Sequence, residues 1–288
     1  MQVIHTPDDM RVWAKEQAAA GGTIALVPTM GFFHEGHLSL MRAAKRLAST
    51  VVVSLFVNPI QFGPGEDLES YPRDFERDCR LAMEAGAEII FAPQAAEMYP
   101  EGFQTTVSVA GLTEHLCGAR RPGHFDGVAT VLTKLFQIVN PDFAFFGEKD
   151  YQQLAVIRRM VADLNMRVEI HGHPIVREQD GLAMSSRNSY LDEQERGTAL
   201  CLYESLKMAR RDAVAGVLDA KELSRRLRDY IQSKPGTEID YIRFVDHSTL
   251  EPVDSVDNNT LLALAVIINN RVRLIDNCII LLKEESFS

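Results

Sequence analysis

The chain of 288 residues is long enough for one large or two modest domains, because single hydrophobic cores stop growing near about 250–300 residues. Its composition, 46% hydrophobic and 24% charged, is close to the globular average and excludes a disordered, collagenous or coiled-coil protein. Asp and Glu number 40 against 30 Lys and Arg, so the net charge is −10 and no overall positive field would attract nucleic acid or anionic lipid. An anionic ligand therefore needs a local basic site.

The sequence contains no pattern of a signal peptide and no run of about 18 apolar residues that would span a membrane. The cysteines are far apart and form no C-x-x-C pair, which argues against a zinc site and a disulfide framework. They are Cys79, Cys117, Cys201 and Cys278. We therefore expect a cytoplasmic protein with reduced thiols, no membrane partner and no metal held by protein ligands alone.

The first half alternates short apolar runs with amphipathic stretches, which is typical of β–α units and a parallel sheet covered on both faces. Strands are predicted at Val3-Ile4, Thr23–Val27, Val51–Val57, Glu88–Ala92, Thr105–Val109, Phe143–Phe146 and Val168–Val176. Helices are predicted after Thr6-Pro7, with a stop at Gly21-Gly22, and then at Gly36–Leu47, Asp74–Ala85, Gly127–Val139 and Tyr151–Leu164. The pattern predicts an α/β fold, a doubly wound (Rossmann-like) domain over residues 1–176.

The character of the chain changes after Val176. A polar segment, Arg177–Ser189, precedes two charge-rich amphipathic helices at about Asp192–Ala213 and Asp219–Lys234. Three strand-like runs follow, at Ile239–Val245, Leu261–Ile268 and Val272–Leu282. Residues 177–288 are therefore predicted to form a smaller α+β C-terminal domain.

The segment after the second predicted strand carries two histidines that frame a glycine. It runs from Pro28-Thr29-Met30-Gly31 through His34-Glu35-Gly36-His37, and the second histidine lies at a predicted helix N-terminus. Ligands of open parallel sheets bind beyond the carboxyl ends of the strands. Free backbone N–H groups, the helix dipole and two imidazoles at that point favour a phosphate.

Other phosphate and metal motifs are excluded by spacing. There is no G-x-x-x-x-G-K-[ST], and Gly63-Pro64-Gly65 lacks the third glycine of G-x-G-x-x-G because Leu68 stands there. His34 and His37 are three residues apart, whereas H-E-x-x-H places its histidines four apart on a continuous helix.

Three further segments carry polar residues after predicted strands. Asn58 and Gln61 follow the third strand, although each alone is an ordinary strand terminator or loop residue. A third segment is Gly147-Glu148-Lys149-Asp150, in which Lys149 can place a positive charge near phosphate oxygens. Asp150 can either accept hydrogen bonds from ribose hydroxyls or cap the next helix. Gln153 projects from the first turn of that helix.

Arg187 and the hydroxyls of Ser185 and Ser186 lie in a glycine-flanked segment that suits a lid over a triphosphate, or an ordinary solvated linker. The cationic turn at Arg120-Arg121-Pro122-Gly123-His124 either helps to bind an anion or is solvated.

Nearly the whole chain resembles the pantoate–β-alanine ligase (pantothenate synthetase) family. The motifs that match are Pro28–Gly31, His34–His37, Phe56–Phe62, Tyr71–Arg73, Arg121–Phe125, Gly147–Asp150, Met184–Asn188 and Arg273–Asn277. The His-x-Gly-His element alone is shared with nucleotidylyltransferases and class I aminoacyl-tRNA synthetases. The chain departs from the family pattern at Phe32 and Phe33, where smaller or aliphatic residues are more common, and at Val266–Val272.

The resemblance implies a two-step, Mg²⁺-dependent ligation of pantoate and β-alanine through pantoyl adenylate, with ATP consumed to AMP and pyrophosphate. It implies that His34, His37 and Lys149 are catalytic and that Gln61 and Gln153 bind pantoate, with Gln61 also near β-alanine. The residues implied to contact ATP are Met30, Gly31, Phe32, Phe33, His34, Glu35, Gly36, His37, Gly147, Glu148, Lys149, Asp150, Val176, Met184, Ser185, Ser186 and Arg187. It also implies a homodimer.

Two other classes of function are open at this point. A nucleotidylyltransferase would transfer AMP to a phosphomonoester and need no amine, and a regulatory nucleotide-binding module would keep the fold without turnover. A tRNA synthetase is disfavoured because no anticodon-binding extension or basic surface is evident at this length and charge.

Overall fold

The computed structural model describes residues 1–282 as two compact units. The first unit comprises Met1–Thr113, Cys117–Glu148 and Gln152–Pro174. The second comprises Glu114–Leu116, Lys149–Tyr151 and, of the described residues, 175–282. Lys149 and Asp150, which the sequence places in the first predicted domain, thus belong to the second unit.

A six-stranded parallel sheet with helices between its strands dominates the first unit, as expected for the doubly wound fold. The strands are β1 (Gln2–Ile4), β2 (Ile24–Thr29), β3 (Thr50–Leu55), β4 (Ile89–Phe91), β5 (Phe143–Gly147) and β6 (Glu169–His173), in the order β1-β4-β3-β2-β5-β6. The helices are α1 (Pro7–Ala19), α2 (Glu35–Leu47), α3 (Phe75–Glu84), α4 (Ala95–Met98), α5 (Leu116–Arg120), α6 (His124–Val139) and α7 (Tyr151–Asp163).

The alternation of side chains along β2 explains why both faces of this sheet are covered. Leu26 belongs to a core cluster with Val128 of α6, whereas Ala25 and Val27 belong to a second cluster with Met41 of α2. Successive residues of a strand point to opposite faces, so a strand that is apolar throughout needs a helix layer on each side.

A three-stranded antiparallel sheet and three helices form the second unit. The helices are α8 (Glu193–Ala199), α9 (Cys201–Val214) and α10 (Ala220–Gln232), and the sheet contains β7 (Thr237–Asp246), β8 (Thr260–Ile268) and β9 (Val272–Ile279) in that order. The predicted fold class, a parallel α/β domain followed by a smaller α+β part, is confirmed.

Two predicted elements differ from the structure. Thr105–Val109 is not a strand; the Val107 N–H donates to the Thr130 hydroxyl on α6 (2.9 Å), so this backbone is satisfied by a side chain instead of a sheet neighbour. The single helix predicted over Asp192–Ala213 is two helices, α8 and α9, which meet at Leu200.

Candidate active site

The parallel sheet changes its winding direction between β2 and β5. β2 pairs with β3 on one side and with β5 on the other, and the chain passes from β2 to β3 through α2. In open α/β sheets the crevice beyond the carboxyl ends at such a point is the usual ligand site. The loop that carries His34 follows β2, and Gly147 ends β5. The fold therefore places these two segments on the strands that flank the switch point.

The loop between β2 and α2 has an unusual backbone that is held by one carboxylate. Gly31 has a φ of 87° and Phe32 a φ of 51°, both in the left-handed region. Asp78, on α3 and only 1% exposed, accepts from the backbone N–H groups of Phe32 (2.6 Å) and Phe33 (2.8 Å). A Cβ added at Gly31 would lie 3.0 Å from Asp78 Oδ2, so this close approach requires glycine.

Arg77 supports the same loop from the neighbouring position on α3. Its Nη2 donates to the Phe33 carbonyl (3.0 Å), and its guanidinium lies 5.3 Å from the centroid of the Phe32 ring. Burial raises the pKa of Asp78, against the lowering effect of the two backbone N–H groups and Arg77. The Phe33 ring is 1% exposed and packs in the core, so it supports the loop from beneath.

The two histidines of this loop lie against each other at the start of α2. Their ring centroids are 4.1 Å apart, and the His34 backbone N–H donates to His37 Nδ1 (3.3 Å). His34 is the N-cap residue of α2, and both side chains are half-buried. Because Nδ1 of His37 accepts a hydrogen bond, a neutral His37 carries its proton on Nε2. The pair thus combines ring donors with the backbone N–H groups of a helix N-terminus.

Gln61 is buried and held in a polar network after β3. Its Oε1 accepts from Asn58 Nδ2 (3.0 Å) and its Nε2 donates to the sulfur of Met30 (3.2 Å). Asn58, 1% exposed, also donates to the Gly127 carbonyl and accepts from the Tyr99 hydroxyl. The structure therefore brings together Met30 and Gln61, two residues that the sequence predicted for different substrates, and gives Asn58 a positioning role.

The cationic turn at residues 120–124 contacts the backbone of Gln61. His124 Nδ1 lies 2.8 Å from the Gln61 carbonyl and its Nε2 lies 3.0 Å from Arg121 Nη1. Arg121 in turn makes a two-point ion pair with Glu66, with both distances 2.6 Å. Arg121 lowers the pKa of Glu66 against the raising effect of burial. The Arg121 guanidinium is thus paired with the carboxylate of Glu66.

Adjacent glutamines on α7 differ in their surroundings. Gln152 is buried; its Oε1 accepts from the Cys117 N–H (2.9 Å) and its Nε2 donates to the Leu112 carbonyl (2.8 Å), so it fixes the segment before α6. Gln153, the predicted pantoate residue, is half-buried on another face of the helix.

In the second unit, Lys149 lies in a 3-10 turn before α7. Its side chain is 19% exposed, and its Nζ is 4.0 Å from a carboxylate oxygen of Asp150. The Lys149 carbonyl accepts from Asn277 Nδ2 on β9 (2.8 Å). The ammonium group is therefore loosely paired while the backbone at the same residue is firmly held.

The segment that carries Ser185, Ser186 and Arg187 is ordered by local hydrogen bonds. The Met184 N–H donates to the Val176 carbonyl (3.0 Å), which brings together two residues predicted for the nucleotide. Ser185 caps a 3-10 helix over Ser186–Tyr190 by accepting from the Arg187 N–H (3.3 Å). Ser186 itself is buried.

Within residues 1–282, no group of three or more His, Cys, Asp or Glu side chains is arranged to hold a metal ion. The same part of the chain contains no helix that is both long and apolar enough to cross a bilayer.

Sequence reasoning missed Asp78 and gave no role to Asp276 or Asn277. Asp78 lies four residues before Ala82, and both are buried on one face of α3. An acidic residue on the apolar face of an amphipathic helix is the signal that could have marked it, because a buried carboxylate needs hydrogen-bond donors. Asp276 and Asn277 interrupt an apolar run of β9 in the same way.

A parallel α/β unit with a histidine pair at a helix N-terminus beside its switch point is typical of nucleotide-binding proteins of the His-x-Gly-His type. The family model described as "Pantoate-beta-alanine ligase" matches residues 2–279. The chain therefore belongs to the pantoate–β-alanine ligase family.

Curated relatives and solved structures agree with that assignment. The chain is 56% identical over 280 residues to the pantothenate synthetase of Geobacter sulfurreducens, covering 97% of this chain and 99% of the relative. It is 54% identical over 280 residues to that of Heliobacterium modesticaldum, again covering 97% of this chain and 99% of the relative. The pantothenate synthetase of Thermus thermophilus matches with a TM-score of 0.92 and 46% identity, covering 98% of this chain and 100% of that one. A ligase from Francisella tularensis, complexed with an ATP compound and β-alanine, matches with a TM-score of 0.80 and 31% identity, covering 97% of each chain.

Proposed function

We propose that the chain joins pantoate to β-alanine at the expense of ATP, forming pantothenate through a pantoyl-adenylate intermediate. The family match over residues 2–279 supports the reaction. The observation that carries the chemistry is the histidine pair, with ring centroids 4.1 Å apart at the N-terminus of α2. In the first step a carboxylate oxygen of pantoate attacks the α-phosphorus of ATP, and the bond to the β-phosphate breaks to release pyrophosphate.

The first unit contributes groups that stabilise negative charge in that step. Charge accumulates on the phosphoryl oxygens and on the leaving pyrophosphate, so catalysis depends on positioning and on electrostatic stabilisation. We assign His34 and His37 to this task. The remaining residues of the first unit that we propose to contact ATP are Met30, Gly31, Phe32, Phe33, Glu35, Gly36, Gly147 and Glu148.

The second unit contributes further cationic and hydroxyl groups. Lys149 is proposed to act on the phosphoryl oxygens, and Ser185, Ser186 and Arg187 to hold the outer phosphates. Asp150, Val176 and Met184 complete the proposed nucleotide contacts of this unit. The half-buried, loosely paired ammonium group of Lys149 supports its role, because it is available to a phosphate at little cost in broken ion pairs.

Gln61 and Gln153 are proposed to hydrogen-bond pantoate, with Gln61 also close to β-alanine. The network around Gln61 supports this role, because a buried amide held at both of its polar atoms and at its carbonyl is already oriented before substrate arrives. In the second step the amine of β-alanine attacks the acyl carbon, the bond between that carbon and the AMP oxygen breaks, and the ammonium protons pass to solvent or a base.

Three further properties complete the proposal. ATP enters as its Mg²⁺ complex, in which the ion is bound largely by phosphate oxygens and water. The chain forms a homodimer, which sedimentation or light scattering of the purified protein tests directly. It acts in the cytoplasm, which cell fractionation tests.

The reaction is tested by exchange of labelled pyrophosphate into ATP, with and without pantoate, followed by addition of β-alanine. Pantoate-dependent exchange, with AMP released only after β-alanine is added, is the expected result. AMP transfer to a phosphomonoester without any need for an amine would favour the nucleotidylyltransferase. ATP binding with no exchange under any condition would favour a regulatory binding module.

A further inference from the structure

The strand β9 carries two adjacent polar residues to which the proposed chemistry gives no role. Asp276 is 2% exposed and Asn277 is 7% exposed, and the residues on either side of them in the strand, Ile275 and Cys278, are apolar. Buried polar side chains destabilise a fold unless they are hydrogen-bonded, so the partners of these two residues indicate what they do.

Asn277 binds the backbone of Lys149. Its Nδ2 donates to the Lys149 carbonyl at 2.8 Å, although the two residues are 128 positions apart in the chain. This bond fixes the main chain at the point from which the Lys149 side chain leaves, while the ammonium group lies 4.0 Å from an exposed carboxylate oxygen of Asp150.

Asp276 binds the base of the segment that carries Ser185. Its two carboxylate oxygens accept from Arg177 Nη1 (2.7 Å) and Nη2 (3.0 Å), and Arg177 Nη1 also donates to the Gly181 carbonyl (3.1 Å). A backbone bridge between Arg177 and Ala183 joins the two ends of the segment 177–183. The ion pair with Asp276 then attaches this closed segment to β9. Bidentate geometry between a guanidinium and a carboxylate fixes orientation as well as distance.

The two tethers meet at one small cleft of the second unit. Its lining includes Lys149, Ser185 and Asp276 together with Leu182 and Ala183. The Asn277 N–H also donates to Asp276 Oδ1 (2.8 Å), which links the two tethers directly. Lys149 and the serine-bearing segment are therefore held by consecutive residues of one strand.

We propose that Asp276 and Asn277 are positioning residues for adenylation: they set the distance between the Lys149 ammonium and the Ser185–Arg187 segment before ATP binds. This inference rests on the proposed function, because Lys149 must act on the nucleotide for its placement to matter. A displacement of about 1 Å in a catalytic group can lower a rate by about a hundredfold, so a single buried hydrogen bond at this point has a large effect on rate.

Two substitutions of Asn277 test the inference in the full chain. Asn277→Asp removes the Nδ2 donor and keeps an acceptor, and Asn277→Leu removes both at similar volume. Each is expected to lower the maximal rate of pantoate-dependent pyrophosphate exchange by about tenfold or more, with a change of less than about threefold in the KM for ATP. A purely structural role predicts a lower unfolding midpoint with an unchanged rate for the folded protein.

The matched control is Asp240→Asn. Arg273 on β9 pairs with Asp240 on β7 at 2.8 Å, so this substitution also weakens an Arg–Asp contact of β9, but between two residues that do not line the cleft of Lys149 and Ser185. We expect it to lower the unfolding midpoint and leave the exchange rate within about twofold of the unsubstituted protein. Arg177→Lys keeps the buried charge, loses the two-point contact, and is expected to lower the exchange rate more than Asp240→Asn does.

A double-mutant cycle with Lys149→Ala gives the decisive readout, because it separates action through Lys149 from general loss of structure. If Asn277 acts through Lys149, then Asn277→Leu lowers the single-turnover rate in the unsubstituted chain and has no further effect in the Lys149→Ala background. The inference is overturned if the same factor is lost in both backgrounds, or if both Asn277 variants keep the full rate. Absence of any pantoate-dependent exchange in the unsubstituted chain would instead overturn the proposed function.

Discussion

The two loops proposed to contact ATP are held by different chemistry. In the first unit, Asp78 accepts two backbone N–H groups of the loop after β2, at 2.6 and 2.8 Å, and so fixes the main chain next to His34. In the second unit, Asp276 accepts from the Arg177 side chain at 2.7 and 3.0 Å, so this buried carboxylate binds a guanidinium and not the main chain of the segment with Ser185.

This difference indicates how far each loop can adjust. A loop whose N–H groups are bound to a buried carboxylate, with two residues in the left-handed region, has few alternative conformations. The segment with Ser185 has local hydrogen bonds of its own, and its link to the buried carboxylate runs through a long arginine side chain, which adjusts more easily than a main chain does. The first loop therefore suits preformed charge stabilisation, and the second suits side-chain contacts that adjust to their ligand.

The largest expected loss of rate comes from substitution of His37, which follows the loop after β2 whose backbone is held by Asp78. His37→Ala removes a ring donor at the N-terminus of α2 and is expected to lower the rate of pyrophosphate exchange by about two to three orders of magnitude, the cost of losing one oxyanion-stabilising group. Lys149→Ala is expected to fall in the same range. The unfolding midpoints should change little because neither side chain is in a core. Near-normal exchange in either variant would remove that residue from the mechanism.

The tether of the first loop predicts the next largest effect. Asp78→Asn replaces an acceptor oxygen with an N–H₂ group that faces a backbone N–H, so we expect a loss of about 1–3 kcal/mol in the free energy of unfolding and a rate about tenfold to a hundredfold lower. The control is Asp74→Asn at the N-cap of the same helix, where the side chain accepts from the Arg77 N–H. That variant should keep its rate, since asparagine is an equally good cap. Equal losses of rate in both would show that α3 matters only as a helix.

A smaller and more selective effect is expected from the support of Gln61. His124→Phe removes the contact to the Gln61 carbonyl and the acceptor for Arg121. We expect the KM for pantoate to rise several-fold while the KM for ATP is nearly unchanged, because the residue that loses its support, Gln61, is proposed to bind pantoate and not the nucleotide. His5→Phe, at an exposed histidine that contacts the Ala92 carbonyl, is the matched control. A parallel rise in both KM values would point to a general disturbance of the unit.

The smallest predicted effect concerns stability at low pH in the second unit. Arg271, the Asp192 N–H and Asn269 lower the pKa of Glu195 from its ordinary 4.5 to about 2. The unfolded chain therefore takes up this proton first as the pH falls. The stabilisation from Glu195 is complete above about pH 4.5 and is lost progressively towards pH 2.

Glu195→Gln should accordingly flatten the dependence of the unfolding free energy on pH in this window, as measured by urea unfolding at several pH values. Glu222 provides the comparison, since Arg225 and Arg226 also lower its pKa to about 2. The Glu222 side chain is 35% exposed against 6% for Glu195, so solvent screening makes the effect of Glu222→Gln smaller. Equal slopes for the two variants would contradict this ranking.

Much of the fold was predictable because it depends on local patterns. The cap at Thr6, the proline at Pro7 and the apolar runs of the strands fix β–α units within short windows of sequence. The predicted strand at Thr105–Val109 was wrong. The backbone N–H of Val107 donates to the hydroxyl of Thr130 on α6, which is 23 residues away, and no local sequence pattern contains that contact.

The residues proposed to contact substrate were predictable from the sequence, and the residues that hold them in place were not. His34 and His37 follow a strand and frame a glycine, which is a local signal. Asp78 lies 46 residues from the N–H group of Phe32, and Asn277 lies 128 residues from Lys149. Contacts over such separations arise from packing of whole elements, so they require the three-dimensional structure.

The path of one oxygen atom shows where on ATP the pantoate carboxylate attacks. With ¹⁸O in the carboxylate of pantoate, attack on the α-phosphorus followed by cleavage of the acyl–oxygen bond transfers one labelled oxygen to AMP, and mass spectrometry of the products would detect it. Attack at the α-phosphorus predicts labelled AMP and unlabelled pyrophosphate. Label in inorganic phosphate, with ADP as the nucleotide product, would show an acyl-phosphate route and contradict the assignment of His34, His37 and Lys149 to attack at the α-phosphorus.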